Sequence, residues 1–266
     1  MNTFILSLFA IFLYLTAAVS RIVIISNIIL SPKQILLFLG SLAISLHALV
    51  LYQHMVTPIG LNLGFFNAAS LMTWVIAVLL LLTLPRNPVD NLIIVLFPIA
   101  ALTIGLDSYF DTERILSSDK EFGVKLHIFS SILAYSLLSI SALQALFLAL
   151  QDYQLHHKRP GWVIQKLPPL QVMENLLFKM IGLGILLLSI SLLSGIIFLK
   201  DIFAQHLVHK TVLSIVAWCV FAMLLWGHWR YGWRGKIAIR WSLSGFFVLM
   251  LAYFGSKLVL ELILRR

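Results

Sequence analysis

The chain has 266 residues, of which 61% are hydrophobic and only 11% charged, and its mean hydropathy is +1.02. A soluble domain is about a quarter charged because its surface must be wetted, so soluble enzyme folds are excluded and the chain reads as an integral membrane protein. The net charge of +9 does not argue for nucleic acid, because the cations gather at the ends of apolar runs, where orientation and anionic lipid account for them.

Crossing the hydrocarbon takes about 20 apolar residues in a helix. Cutting at the charged and Pro/Gly-rich breaks gives about eight such segments, over residues 4–27, 34–54, 65–84, 91–107, 124–150, 177–199, 210–229 and 240–262. The expected fold is all-α: a polytopic bundle of about eight transmembrane helices forming a single integral membrane domain over 1–266. The first segment is preceded by no basic residue and followed by Arg21, which fits an uncleaved helix better than a signal peptide. With eight spans, eleven of the nineteen cations fall on one side, among them Arg21, Lys33, Arg86, Lys158, Arg159 and the acid-free stretch Arg230, Arg234, Lys236, Arg240. That side is expected to be cytoplasmic, with both termini outside. Asp107, Asp111, Glu113, Asp119 and Glu121 share one outer loop. The longer cytoplasmic loop, 151–176, contains Pro160, Pro168 and Pro169 and is expected to lie along the membrane surface. Neither loop can hold a catalytic domain, so function is sought in the bundle. The single cysteine, Cys219, lies within an apolar run, which removes any disulfide framework or cysteine-rich zinc site.

A polar or ionisable side chain inside a bilayer is costly unless paired or bound, so such residues mark candidate sites. The span centres hold almost no acids, which weighs against an ion-driven pump. They do hold histidines: His47 in the second span, His127 near the start of the fifth and His228 at the end of the seventh, with His209 just outside the seventh. Neutral imidazole tolerates a membrane and is a good axial ligand for haem iron. At about 1.5 Å per residue, His47 and His127 come out within roughly 5 Å of one level in the outer half, and His228 well over 10 Å deeper. This arithmetic favours His47 and His127 as the ligands of one haem. Set beside it, a lone histidine in a span is more often a hydrogen-bonding packing residue. His54, His156 and His157 fall at interfaces or in loops and are assigned nothing, and His206 and His209 read equally well as wetted loop residues. His127, Ser131 and Tyr135 share a helix face that suits either packing or a ligand. Tryptophans and arginines around His228 are what any membrane interface shows; two nearby glycines would also let a porphyrin edge approach, with Arg230 or Arg234 pairing its propionates.

The run 209–259, HKTVLSIVAWCVFAMLLWGHWRYGWRGKIAIRWSLSGFFVLMLAYFGSKLV, resembles the closing helices of the cytochrome c assembly proteins of the CcsA, CcmC and HemX type, and VKLHIFSSILAYSLL, 124–138, resembles that family's outer-histidine helix. The resemblance covers most of the chain in helix order, best over 65–264, and points to the YpjD-like subgroup of the bacterial inner membrane. It implies a multi-pass protein that binds haem b and handles haem or takes part in cytochrome c assembly, with haem, membrane lipid and other membrane proteins of cytochrome assembly as partners. By position, His127 matches an outer-face histidine flanking exposed haem, and His228 the histidine that ligates haem within the membrane, so the resemblance favours His228 over the depth arithmetic. Two features depart from the family pattern. Phe203 to Lys210 contains none of the tryptophans of the family's outer platform, and no second outer histidine follows the last span before Arg266. Both bear on haem delivery to an apocytochrome and leave haem binding or a regulatory role open. The competing readings are a non-haem membrane accessory or metal-ion transport or regulatory protein, and an assembly subunit with no ligand. No P-loop, zinc-protease motif or serine–histidine–acid set supports an enzyme.

Overall fold

The computed structural model describes residues 3–24, 32–110, 112, 114–117, 122–157, 167–198 and 205–255. Eight helices are long and apolar enough to cross a membrane: α1 (Thr3–Ile24), α2 (Pro32–Met55), α3 (Phe65–Thr83), α4 (Ile93–Tyr109), α5 (Phe122–His156), α6 (Leu170–Phe198), α7 (Gln205–Tyr231) and α8 (Lys236–Met250). A 3-10 turn, Asp90–Leu92, leads into α4, and a π turn, Leu251–Gly255, extends α8. The expected bundle of about eight spans is therefore present. The ends of the first and last apolar runs, 25–27 and 256–262, and the terminal Arg265 and Arg266 lie outside the described residues.

The chain divides into two compact units, Met1–Asp119 and Lys120–Arg266. Hydropathy reports that a helix is in lipid, not which helices pack together. In the first unit α1 packs on α2 and α4, and α3 on α2 and α4. A small antiparallel sheet joins the α2–α3 connection to the acidic loop. β1 (Val56–Thr57) pairs with β2 (Gly60–Asn62), and β2 pairs with β3 (Ile115–Ser117). Asp107, expected in that loop, is instead a buried residue of α4, whereas Asp111, Glu113, Asp119 and Glu121 lie outside the described residues.

Four helices of this unit meet at one buried polar contact. His47 of α2 has one ring nitrogen 3.2 Å from the Tyr14 hydroxyl of α1 and the other 3.0 Å from Ser70 Oγ of α3. Phe97 of α4 packs edge-on against Tyr14. At the basic end of the unit, the guanidinium of Arg21 sits 2.6 Å from the Asp90 carboxylate and donates to Asn91 Oδ1 at 2.7 Å. Arg21 is thus a buried, neutralised cation rather than a surface charge.

In the second unit α5 packs along α6 and against α8, while α7 packs on α6 and α8. At 35 residues, α5 is about 52 Å long against a hydrocarbon core of about 30 Å, and it runs past its expected end at 150. α6 likewise starts at Leu170, seven residues before the expected 177. The cytoplasmic loop is correspondingly shorter than 151–176. Small residues set the α5–α6 distance: Ser191, Ser194 and Gly195 are buried on α6 and Gly123, Ser130 and Ala134 on α5, the composition that lets membrane helices approach closely.

The expected orientation makes a direct prediction. In a Cys219→Ser background, Ile59→Cys in the exposed β1–β2 turn should react with a membrane-impermeant maleimide added outside intact cells. Arg234→Cys, in the turn between α7 and α8, should react only after the membrane is breached. The reverse pattern would invert the topology.

Candidate functional site

The second unit places His127 and His228 on neighbouring elements of α6. The ring of His127, six residues into α5, lies with Nδ1 2.7 Å from the Ser191 carbonyl oxygen. A carbonyl can only accept, so Nδ1 carries the proton and donates. Nε2 then keeps its lone pair and has no hydrogen-bond partner among the described residues.

His228 is held in the same way. Its Nδ1–H donates to the Trp233 carbonyl at 2.8 Å, and its ring stacks on Phe178 of α6 with centroids 3.5 Å apart and planes inclined by 16°. The carbonyl is presented by the turn that ends α7. Gly232 takes φ +68, and its N–H closes on the His228 carbonyl at 3.0 Å, while the Trp233 N–H reaches that of Gly227 at 3.2 Å. This is a left-handed helix cap, in which a side chain would be strained. A Cβ on Gly227 would collide with the Trp233 indole, so that glycine lets the turn fold back over His228. Glu174 of α6 secures the far side of the turn by accepting the Gly235 N–H at 2.7 Å. Nε2 of His228 is also without a partner among the described residues.

Both histidines therefore show one arrangement: Nδ1–H fixed by a backbone carbonyl and Nε2 left as a bare donor. Metal-ligating histidines are oriented by such a contact, which sets the tautomer and raises ligand basicity. The donor chemistry fits haem iron.

Distance along α6 separates the two. His127 meets Ser191 and His228 meets Phe178, and thirteen residues of helix put about 20 Å between these levels. A second measure agrees on the scale. Trp218 of α7 donates to Ser189 of α6 at 2.8 Å, and from there His228 lies about 15 Å along α7 and Phe178 about 16 Å along α6. Two imidazole nitrogens bound to opposite faces of one iron are only about 4 Å apart, so His127 and His228 belong to different levels of the unit.

The remaining sequence candidates are placed as follows. His47 lies in the first unit, buried, with both ring nitrogens engaged by hydroxyls. Whichever tautomer it takes, one nitrogen donates and the other accepts, which leaves no lone pair for a metal. His209 is exposed near the start of α7, about 10 Å beyond the level of His127 by helical rise from Trp218. Arg230 and Arg234 are both exposed at the basic end, with Arg230 lying 5.8 Å over the Tyr231 ring. The face shared by His127, Ser131 and Tyr135 divides between neighbours. His127 turns to α6, while Tyr135 is buried against Phe246, Tyr253 and Phe254.

Sequence reasoning missed His54, whose Nδ1 lies 3.1 Å from the buried carboxylate of Asp107. The only available signal was an acid at the very end of an apolar run, which reads equally as a loop. It also gave no weight to Phe178 or the Trp233 carbonyl. No group of three His, Cys, Asp or Glu side chains that could hold a metal ion occurs among the described residues.

Comparison with known proteins follows the same helices. The family model described as cytochrome C assembly protein matches residues 35–264. The inner membrane protein YpjD of Escherichia coli (strain K12) is 36% identical over 204 residues, 77% of each chain. An uncharacterized 28.8 kDa protein of Azospirillum brasilense is 33% identical over 143 residues, 53% of each chain. The cytochrome c biogenesis protein CcsA of Gloeothece citriformis is 28% identical over 102 residues, 38% of this chain and 31% of that one. No solved structure matches the chain.

Proposed function

The chain belongs to the cytochrome C assembly protein family and is a multi-pass protein of the bacterial inner membrane, and on that premise we propose that it binds haem b and handles haem for cytochrome c biogenesis, as a binding protein rather than an enzyme. One observation carries this reading: His127 and His228 each have Nδ1–H fixed on a backbone carbonyl with Nε2 unpartnered among the described residues. Bound haem would supply a redox-active iron and a flat apolar body with two carboxylates.

His228 is the preferred ligand. Its ring is clamped between Phe178 and the Trp233 turn, and Arg230 and Arg234, exposed at the same end, are the cations available to propionates. His127 serves a second level near the other end of the unit. His47 holds the first unit together, and His209 lies apart from both rings. The partners are haem itself and other membrane proteins of cytochrome assembly, consistent with relatives named for cytochrome c biogenesis.

The test is purification in mild detergent from haem-replete cells, followed by an absorption spectrum and a pyridine haemochrome assay. A Soret band with a b-type haemochrome is expected. Protein that is folded and free of haem under these conditions would overturn the proposal in favour of a ligandless assembly subunit.

A further inference from the structure

Independently of haem, the basic end of the second unit contains an open cavity of about 470 Å³ between the last turns of α5 and the first turns of α8. Its polar lining is Lys236 and Arg240 from α8 and Asp152, Tyr153, His156 and His157 from α5. Asp152 is already engaged, since its carboxylate lies 3.4 Å from Nδ1 of His156 and its carbonyl accepts from the same nitrogen at 2.8 Å. Nδ1 of His157 likewise donates to the Tyr153 carbonyl at 2.8 Å. Neither Lys236 nor Arg240 has an ion pair among the described residues.

This placement of charge is unfavourable in the bare chain. Two cations four residues apart on one helix repel each other, and both stand in the first two turns of α8, at the positive end of its dipole. The first turn contains no acid, and the Gly235 cap makes no side-chain hydrogen bond to it. Glu174 meets the helix start only at the Gly235 N–H, and an anion in the cavity would offset the repulsion between the two cations by attracting both.

The surroundings specify what kind of anion. The apolar lining is Ala149 and Ile239. Below it, toward the membrane, Leu146 and Leu150 of α5 are 45% and 54% exposed, an outward apolar track beginning where the cavity ends. Tyr153, 62% exposed, stands at the level where amphipathic rings meet headgroups. Basic pockets between membrane helices on the cytoplasmic side are suited to anionic headgroups. We propose that this cavity binds the phosphodiester headgroup of an anionic phospholipid through Lys236 and Arg240, with an acyl chain along Leu146 and Leu150.

The experiment uses the full-length protein in dodecyl maltoside, titrated with phosphatidylglycerol, with phosphatidylcholine, and with inorganic phosphate, and read by native mass spectrometry and thermal shift. Saturable binding of phosphatidylglycerol is expected over phosphatidylcholine. Affinity should fall about five-fold for Lys236→Gln or Arg240→Gln and about thirty-fold for both, given the usual worth of one cation at a lipid surface. Arg86→Gln, an exposed cation of the first unit, should leave it unchanged. Equal binding by the double variant, an equal loss in Arg86→Gln, or saturation by inorganic phosphate without competition from the lipid would each overturn the proposal. Displacement of the lipid by equimolar haemin would do so too, by making the cavity part of the haem site.

Discussion

Asp90→Ala should destabilise the first unit by about 3 to 5 kcal/mol, the usual cost of removing one partner from a buried ion pair, and lower its melting point in detergent by roughly 10 °C or more. The Arg21 and Asp90 side chains are only 8% and 14% exposed. Once the carboxylate is gone, the guanidinium keeps Asn91 as its one acceptor among the described residues. Its Nε is already buried without a hydrogen bond among the described residues. The charge, not the contact area, carries the effect. Arg21→Met combined with Asp90→Leu should therefore recover most of the loss, since a buried pair replaced by apolar groups of similar volume is often nearly neutral. If the double variant melts as low as Asp90→Ala, packing rather than charge is responsible.

The second large effect is on haem. His228→Ala should weaken haem binding by at least about ten- to hundred-fold, because even loss of an outer contact to a metal-bound histidine costs that much. His127→Ala should act separately and additively, as expected for sites about 20 Å apart with no shared partner. Gly232→Val keeps the His228 ring but strains the turn that presents the Trp233 carbonyl. It should lower affinity less than His228→Ala and shift the spectrum. His47→Ala should leave haem per folded molecule unchanged while lowering the stability of the first unit, since Tyr14 and Ser70 both lose a buried partner. The comparison separates the two assignments. Complete loss of haem in His47→Ala and in His127→Ala, with none in His228→Ala, would restore the His47 and His127 pair and refute the present placement. Haem content is read by haemochrome assay and unit stability by thermal melting in detergent.

The histidines show why part of the site was legible in the sequence and part was not. An imidazole in an apolar run stands out against its neighbours, so His47, His127 and His228 were all visible. What each does depends on its ring nitrogens, and their partners come from elsewhere in the chain. Ser191 lies 64 positions from His127, and Ser70 lies 23 from His47. A hydroxyl at one nitrogen and a hydroxyl at the other make a packing residue; a carbonyl at Nδ1 and no partner at Nε2 among the described residues make a candidate ligand. The Trp233 carbonyl was the most accessible of these, only five residues from His228 and announced by Gly232, but the Gly-rich stretch reads first as an interfacial turn.

The sequence by itself determined the membrane class, the eight apolar spans, the family and the basic stretch from 230 to 240. Each of these is a one-dimensional property: transfer of about 20 residues into hydrocarbon depends on composition, not on neighbours. Only the tertiary structure decided which helices pack together, the burial of Arg21 against Asp90 and Asn91, and the placing of His47 and His127 in different units. A helix in lipid is apolar on both its packed and its exposed sides, so its sequence carries little record of which face turns inward. Helix rotation and register are then settled by a few small and polar side chains meeting across long stretches of chain, as Ser108 meets Ser7 at a separation of 101 residues.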